Sequence, residues 1–365
     1  MTCRELASEH FVVGFKETLK TASFQKWVQE NRWGGYIFFT ENYESPQQLH
    51  QLCQDLRKDS PVPPFLAVDQ EGGPVLRFRE KFTKLPAARE IGEIYGKLRN
   101  VSCAYRCGNI AAKELAAVGI NWNLAPVLDT SNNPENTVIG SRAFSDKPYI
   151  VSALGLAFIA GLQDSGVMAC GKHFPGHGCT SEDSHEVLPK VEHSSQRLAT
   201  TEMEPFLRAI ENGIFSLMTA HVLYPSLDRE KPASLSKKIQ TQFIRNYTRF
   251  EGILISDDMA MKAITLHQSI PEAAIEAILA GTDMVLLRGD AEAQESALEA
   301  VTQEAEKNGA FRSKLEISSH RLQRIQRDYL SKHNEYQGNL SLIGCLEHQS
   351  YIAELMEAHQ ETNEA

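Results

Sequence analysis

No stretch of this chain reaches the roughly 20 consecutive apolar residues that a helix needs to cross a bilayer, so no membrane span is expected. The first residues, M-T-C-R-E-L-A-S-E-H, lack the uninterrupted apolar core of a secretory signal peptide. Positive charge is short as well: 37 Lys and Arg face 47 Asp and Glu, a formal net charge of −10. That balance argues against nucleic acid or an anionic membrane surface as a partner. Cysteine is present but unorganised, with seven residues at 3, 53, 103, 107, 170, 179 and 345, an odd count without a C-x-x-C pair. Cys103 and Cys107 lie one helical turn apart, a spacing that suits packing better than ligation. A reduced, cytoplasmic protein is the expectation. Internal repeats, low-complexity tracts and glycine motifs that cradle phosphates or dinucleotides are also missing, so no metal or organic cofactor is expected.

What is present is enough apolar sequence, 42% of 365 residues, for one large domain or two ordinary ones. Eight short apolar runs read as strands: 11–15, 35–39, 65–68, 120–124, 167–171, 215–219, 252–255 and 284–287. Most are too uniformly apolar for a sheet with one wet face, which suits strands buried on both sides. Helix-like stretches such as 104–118 and 271–280 lie between them. The alternation predicts an α/β fold, a (β/α)8 TIM-type barrel, with a doubly wound open sheet as the alternative. The chain divides into a barrel over 1–330 and, over 331–365, a linker with a C-terminal helix packed on the barrel. Residues 291–330 read as charged helices in which Leu322, Ile325 and Tyr329 share a face, and residues 331–339 read as the linker. Ile352, Leu355, Met356 and His359 mark the last amphipathic segment. No second domain is expected.

Polar residues fall where a barrel places its chemistry, at the C-terminal ends of strands. Asp69 follows the third run, Lys172 and His173 end the fifth, His221 the sixth and Asp257 the seventh. The richest stretch is K-H-F-P-G-H-G-C-T-S-E-D-S-H, from Lys172 to His185. Pro175, Gly176 and Gly178 prevent a helix there, and the loop closes on Asp183 and His185, two residues apart. A carboxylate facing one imidazole nitrogen fixes the tautomer and leaves the other free to exchange a proton. A surface loop with a local hydrogen bond is the bland alternative for an isolated D-x-H.

This stretch, followed with D-Q-E-G-G (69–73), N-W-N-L-A-P-V-L-D (121–129), V-I-G-S-R-A-F (138–144), P-A-S-L-S (232–236) and S-D-D-M-A-M (256–261), resembles glycoside hydrolase family 3. The likeness is to the branch of bacterial β-N-acetylglucosaminidases (β-hexosaminidases) that act on cell-wall fragments. Six blocks in the family's order, over roughly residues 10–290, make the resemblance specific. It implies a retaining glycosidase that removes terminal N-acetylglucosamine from anhydro-muropeptides in peptidoglycan recycling, through a covalent glycosyl-enzyme. It implies no cofactor and no metal. The implied partner is a small carbohydrate, N-acetylglucosaminyl muropeptides, acted on by a monomer.

The resemblance assigns Asp257 as nucleophile, His185 as acid/base and Asp183 as its partner. It assigns Asp69, Arg77, Arg142, Lys172 and His173 to sugar binding, with His177 and His221 in support. Asp258 is the nearest confound for Asp257, although adjacent residues leaving a strand point to opposite sides. Pro74 departs from the family's usual arginine and puts a neighbouring subsite contact in doubt. Other readings stay open. A phosphorylase of the same family would use phosphate in place of water. A metal-dependent barrel hydrolase would use His173, His177, Asp183 and His185 as ligands. A non-catalytic sugar-binding relative would be expected to have lost the nucleophile or the Asp–His pair.

Overall fold

Short runs rich in Val, Ile, Phe and Leu satisfy their backbone hydrogen bonds out of water only by pairing with one another. In the computed structural model, which describes residues 1–332 and 335–361, eight of them do so. They are β1 (Phe11–Gly14), β2 (Gly35–Phe38), β3 (Phe65–Val68), β4 (Trp122–Asn123), β5 (Met168–Phe174), β6 (Ser216–Thr219), β7 (Ile253–Ser256) and β8 (Val285–Leu287). Neighbours run parallel in the order β8-β1-β2-β3-β4-β5-β6-β7, with Tyr36 opposite Leu66 and Ser216 opposite Ile253. The two remaining edges meet: a parallel bridge joins Ile255 to Met284, and the Ser256 N–H donates to the Met284 carbonyl at 3.1 Å. An open doubly wound sheet keeps its edge strands apart, so that alternative falls and the (β/α)8 barrel stands. Each expected strand is found, with ends moved by a few residues.

Alternation along the strands separates two cores. Val12, Ile37, Phe65, Ala67, Trp122, Met168, Cys170, Met218, Ile253 and Ile255 fill the barrel interior. Their neighbours Val13, Tyr36, Phe38, Leu66, Val68, Ala169, Leu217 and Leu254 face outward under the helices. Around the outside, α1 (Ser102–Val118) and α2 (Pro148–Asp164) approach closely because glycines face each other's backbones. A Cβ on Gly161 would stand 2.1 Å from the Tyr105 carbonyl. Next come α3 (Ile270–Ala280), opened by a Ser269/Glu272 capping box, then α4 (Ala291–Lys307) and α5 (Gly309–Asp328). The expected shared face of Leu322, Ile325 and Tyr329 packs into the interior cluster and floors the barrel. The C-terminal α6 (Leu346–Glu361) adds Ile352 and Leu355 to the outer core, and His348 Nδ1 bonds the buried Glu114 carboxylate at 2.8 Å. Of the stretch read as a linker, His333 and Asn334 lie outside the described residues. No helix among the described residues is long and apolar enough to cross a membrane.

One ionic cluster ties the β7–β8 seam to α5. The fully buried Asp283 accepts from the Leu254 N–H and the Ser318 hydroxyl, both at 2.7 Å, and pairs with Arg245 and Arg321. Burial alone would raise its carboxyl, but the two guanidinium groups outweigh burial and hold it below the usual carboxylate range. Removing one partner of such a cluster leaves the others buried and unpaired. Asp283→Ala is therefore expected to lower unfolding free energy by about 3–5 kcal/mol, measured by urea denaturation. A loss under about 1 kcal/mol would mean that Arg245 and Arg321 find other partners.

Candidate active site

The C-terminal ends of the strands open into a cavity of about 280 Å³. Its lining brings together Asp69, Arg77, Arg142, Lys172, His173, His185 and Asp257, joined by Glu71, His177, Ser184, Asp258 and Arg288. Of the residues given a catalytic, sugar-binding or supporting role from the sequence, Asp183 and His221 are absent from that lining, and each touches a residue that is present. A larger hollow of about 470 Å³ lies at the other end of the barrel against Pro63, Asn121 and Gln323, and it gathers no comparable set of acids and bases.

The floor of the site is a buried ion network. Lys172, its side chain 3% exposed, donates to Asp69 at 2.7 Å and stands 2.6 Å from Glu71. Arg142 grips both oxygens of Glu71 through Nε and Nη2, at 2.9 and 2.8 Å, and donates from Nη1 to the Val138 carbonyl. Arg77 donates to the second oxygen of Asp69 at 3.2 Å and lies over the Phe39 ring. Burial would raise the Asp69 and Glu71 carboxyls, but these cations hold both below their usual range. Burial would likewise lower Lys172, and Asp69 and Glu71 keep it raised instead. Glu71 belongs to D-Q-E-G-G and was not assigned a role from sequence; only the fold shows that it holds both Arg142 and Lys172. Pro74 lies between the two strands of a small hairpin (Gln70–Gly72 and Val75–Leu76), and the exposed Arg79 donates to its carbonyl at 2.9 Å.

A second carboxylate missed in the sequence, Asp129, organises the loop after β5. It accepts from His173 Nδ1 at 2.8 Å, from the His173 N–H, and from the His177 N–H at 2.6 Å. Burial would raise it, and His173 and these hydrogen bonds hold it low. His173 therefore carries its proton on Nδ1, which leaves Nε2 as the ring atom available to a ligand. The peptide bonds Lys172–His173 and Phe174–Pro175 are cis. His177 spends Nδ1 on the Thr180 hydroxyl and Nε2 on the Ser184 hydroxyl, at 3.0 and 2.9 Å. Burial and the nearby His173 push it down to about 4, so it is neutral. With both nitrogens engaged it is not free to ligate, and the four-ligand metal reading loses its geometry.

The D-S-H tripeptide divides its labour. Ser184 points inward and is anchored by His177, and its carbonyl accepts from the Ala263 N–H at 3.3 Å. The side chains of Asp183 and His185 are 40% and 61% exposed, and His185 borders the cavity. Asp183 Oδ1 bonds His185 Nδ1 at 2.7 Å and the His185 N–H at 2.8 Å. Burial would raise the Asp183 carboxyl, but these two bonds hold it low.

Asp257 and Asp258 both line the cavity, and their carboxyls are shifted in opposite directions. For Asp257, burial is outweighed by His173 and His221 and by the Asp258 N–H, and its carboxyl is lowered. Asp258 is raised by burial despite accepting from the Ala260 and Arg288 N–H groups at 3.0 and 3.1 Å. The first is an ionised, ligand-facing carboxylate; the second is committed to the backbone. His221 supports both from behind, bonding the Ser234 hydroxyl at 2.6 Å and the Asp258 carbonyl at 3.0 Å.

Comparison with known proteins agrees with this geometry. Residues 8–325 match the family described as glycosyl hydrolase family 3 N terminal domain. A beta-hexosaminidase of Nitrosomonas eutropha is 39% identical over 267 residues, 73% of this chain and 76% of that one. A beta-hexosaminidase of Methylococcus capsulatus is 37% identical over 310 residues, 85% of this chain and 91% of that one. The solved family 3 beta-N-acetylglucosaminidase from a Paenibacillus species superposes with a TM-score of 0.92 at 31% identity, over 98% of this chain and 69% of that one. NagZ from Neisseria gonorrhoeae, solved with N-trifluoroacetyl-D-glucosamine, gives 0.71 at 30% identity, over 86% and 98%.

The depressed Glu71 carboxyl sets a pH dependence. Its contribution is complete above the usual glutamate range and is lost as pH falls, because the unfolded chain takes up a proton there before the folded one does. Between about pH 5 and pH 3 the parent is expected to lose more stability than Glu71→Gln, read from denaturant midpoints. Parallel profiles would show that Glu71 is not held by Arg142 and Lys172.

Proposed function

This chain belongs to glycosyl hydrolase family 3 and is a glycosidase of the β-hexosaminidase type, and from that premise we propose that it removes terminal N-acetylglucosamine from peptidoglycan-derived fragments with retention of configuration. The observation that carries the reading is the convergence of Asp257, partly buried and with its carboxyl held low, with His185 on one cavity. In this scheme the Asp257 carboxylate attacks the anomeric carbon while His185 Nε2 delivers a proton to the leaving oxygen. His185 then removes a proton from water, which opens the glycosyl-enzyme and gives the β product. Asp183 holds the ring by Nδ1 throughout.

The sugar is held by what the ion network leaves unspent. Lys172 has three N–H donors and uses two on Asp69 and Glu71. Each Asp69 oxygen accepts one cation and keeps a lone pair for a hydroxyl. Arg77, Arg142 and His173 Nε2 border the same space. The reaction in this scheme needs no metal or organic cofactor. The preference for N-acetylglucosamine is supported by the ligand in the Neisseria enzyme and the name of the Paenibacillus one. A monomer in the cytoplasm is part of the proposal, supported for the compartment by seven free cysteines.

A 2-fluoro N-acetylglucosaminyl donor is expected to label Asp257, seen by peptide mass spectrometry, and labelling of another carboxylate would defeat the assignment. Asp257→Ala is expected to cost at least about 10³-fold in turnover and Asp258→Ala less. A phosphorylase remains the second reading, because an imidazole does not repel phosphate as a carboxylate does. Proton NMR of the first-formed product is expected to show free β-N-acetylglucosamine with or without phosphate. A sugar 1-phosphate would replace hydrolysis with phosphorolysis, and the α-anomer would overturn retention.

A further inference from the structure

A second group of donor atoms lies at the base of the Asp183–His185 loop. Cys179 Sγ, a His193 ring nitrogen and a Glu202 carboxylate oxygen lie within 4.8 Å of one another. None of the three residues lines the cavity described above. Glu202 closes a π-helical turn (Leu198–Glu202) and is completely buried. Its Oε1 accepts from Asn132 Nδ2 at 3.0 Å, with Arg197 Nε at 3.6 Å and His193 Nε2 at 3.9 Å. Among the described residues its Oε2 has no hydrogen-bond partner, and neither has the buried Oδ1 of the adjoining Asn132. The Cys179 thiol makes one long contact, 3.9 Å to the Gly176 carbonyl.

A carboxylate oxygen buried without a donor is expensive, and a cation beside it removes the cost. The donor set decides which cation. Thiol, imidazole and carboxylate together suit zinc-class ions, whereas calcium and magnesium take oxygens alone. A tetrahedral zinc holds its donor atoms about 3.3–3.8 Å apart, so the group must close by about 1 Å. Cys179 and His193 are only partly buried, on irregular segments that can make that move.

We propose that Cys179, His193 and Glu202 bind one zinc-class cation, with water completing its shell. Cys179 precedes Asp183 and His193 follows His185, so the ion ties both ends of the acid/base loop to the buried Glu202 and shortens the free chain between them. As the metal–sulfur bond forms, the Cys179 thiol releases its proton to solvent. Without the ion, burial and the Glu202 charge push that thiol up to about 12, so it is inert. The site goes beyond the glycosidase assignment and does not depend on it.

The test is cobalt(II) titration of the full chain, stripped with chelator and kept reduced, followed by displacement with zinc. A thiolate-to-cobalt absorption band is expected at one equivalent. Cys179→Ser is expected to abolish it, and His193→Ala to weaken affinity at least about tenfold. His185→Ala and Cys345→Ser are expected to keep it. Zinc is expected to raise the melting temperature of the parent but not of Cys179→Ser, whose metal-free melt should match the parent's. Absence of the band, its survival in Cys179→Ser, or its loss in His185→Ala would overturn the site. Should Cys179→Ser fail to fold, unchanged affinity in His193→Ala overturns it as well.

Discussion

The mouth of this barrel depends on a lysine held out of water between two carboxylates. Lys172 leaves β5 with almost no exposed side chain and meets Asp69 and Glu71, both carried past the end of β3. A buried ammonium costs several kcal/mol unless each charge is answered, and here Arg77 answers the second oxygen of Asp69 while Arg142 grips both oxygens of Glu71, sharing Oε1 with Lys172. Such a network gains little stability over a well-packed apolar floor. What it gains is position: donors and acceptors locked by one another at the edge of the cavity.

The two groups proposed to react are supported in opposite ways. Asp257 is partly buried at the end of β7, its backbone N–H donating to the Thr219 carbonyl at 3.1 Å and its charge favoured by His173 and His221. His185 is exposed on a loop whose one inward anchor within the tripeptide is Ser184. A nucleophile must keep one trajectory, whereas an acid/base group that serves a leaving group and then a water gains from a mobile support. The Cys179–His193–Glu202 group lies where a bound ion would restrain that support without touching the reacting atoms.

Much of this was legible in the sequence because barrel strands bury both faces, so their runs of Val, Ile and Phe stand out without an alignment. The chemistry stands out for the same reason: Asp69, Lys172, His173 and Asp257 follow apolar runs directly. Glu71 and Asp129 were not legible. Each reads as one more acid in a turn, and its meaning comes from partners 71 and 44 residues away, Arg142 and His173. Asp258 was expected to face away from the cavity; it lines it, and is set apart from Asp257 by its backbone donors. Closure at Ile255 and Met284 was likewise invisible, because periodicity reports that a strand is buried and not which strand it meets.

The central proposal is that one ionised aspartate and one exposed, loop-borne histidine share a double displacement. Burst kinetics of His185→Ala on an activated aryl N-acetylglucosaminide, with and without azide, test it most directly. A good leaving group needs little protonation, so the first step should survive while the second, lacking its base, falls by roughly 10²–10⁴. The account predicts a burst of phenol followed by slow turnover, accelerated by azide, which needs no base, with β-glycosyl azide as product. No burst, no azide effect and equal losses on activated and natural substrates would contradict it, and would return the Asp183–His185 loop to a structural role.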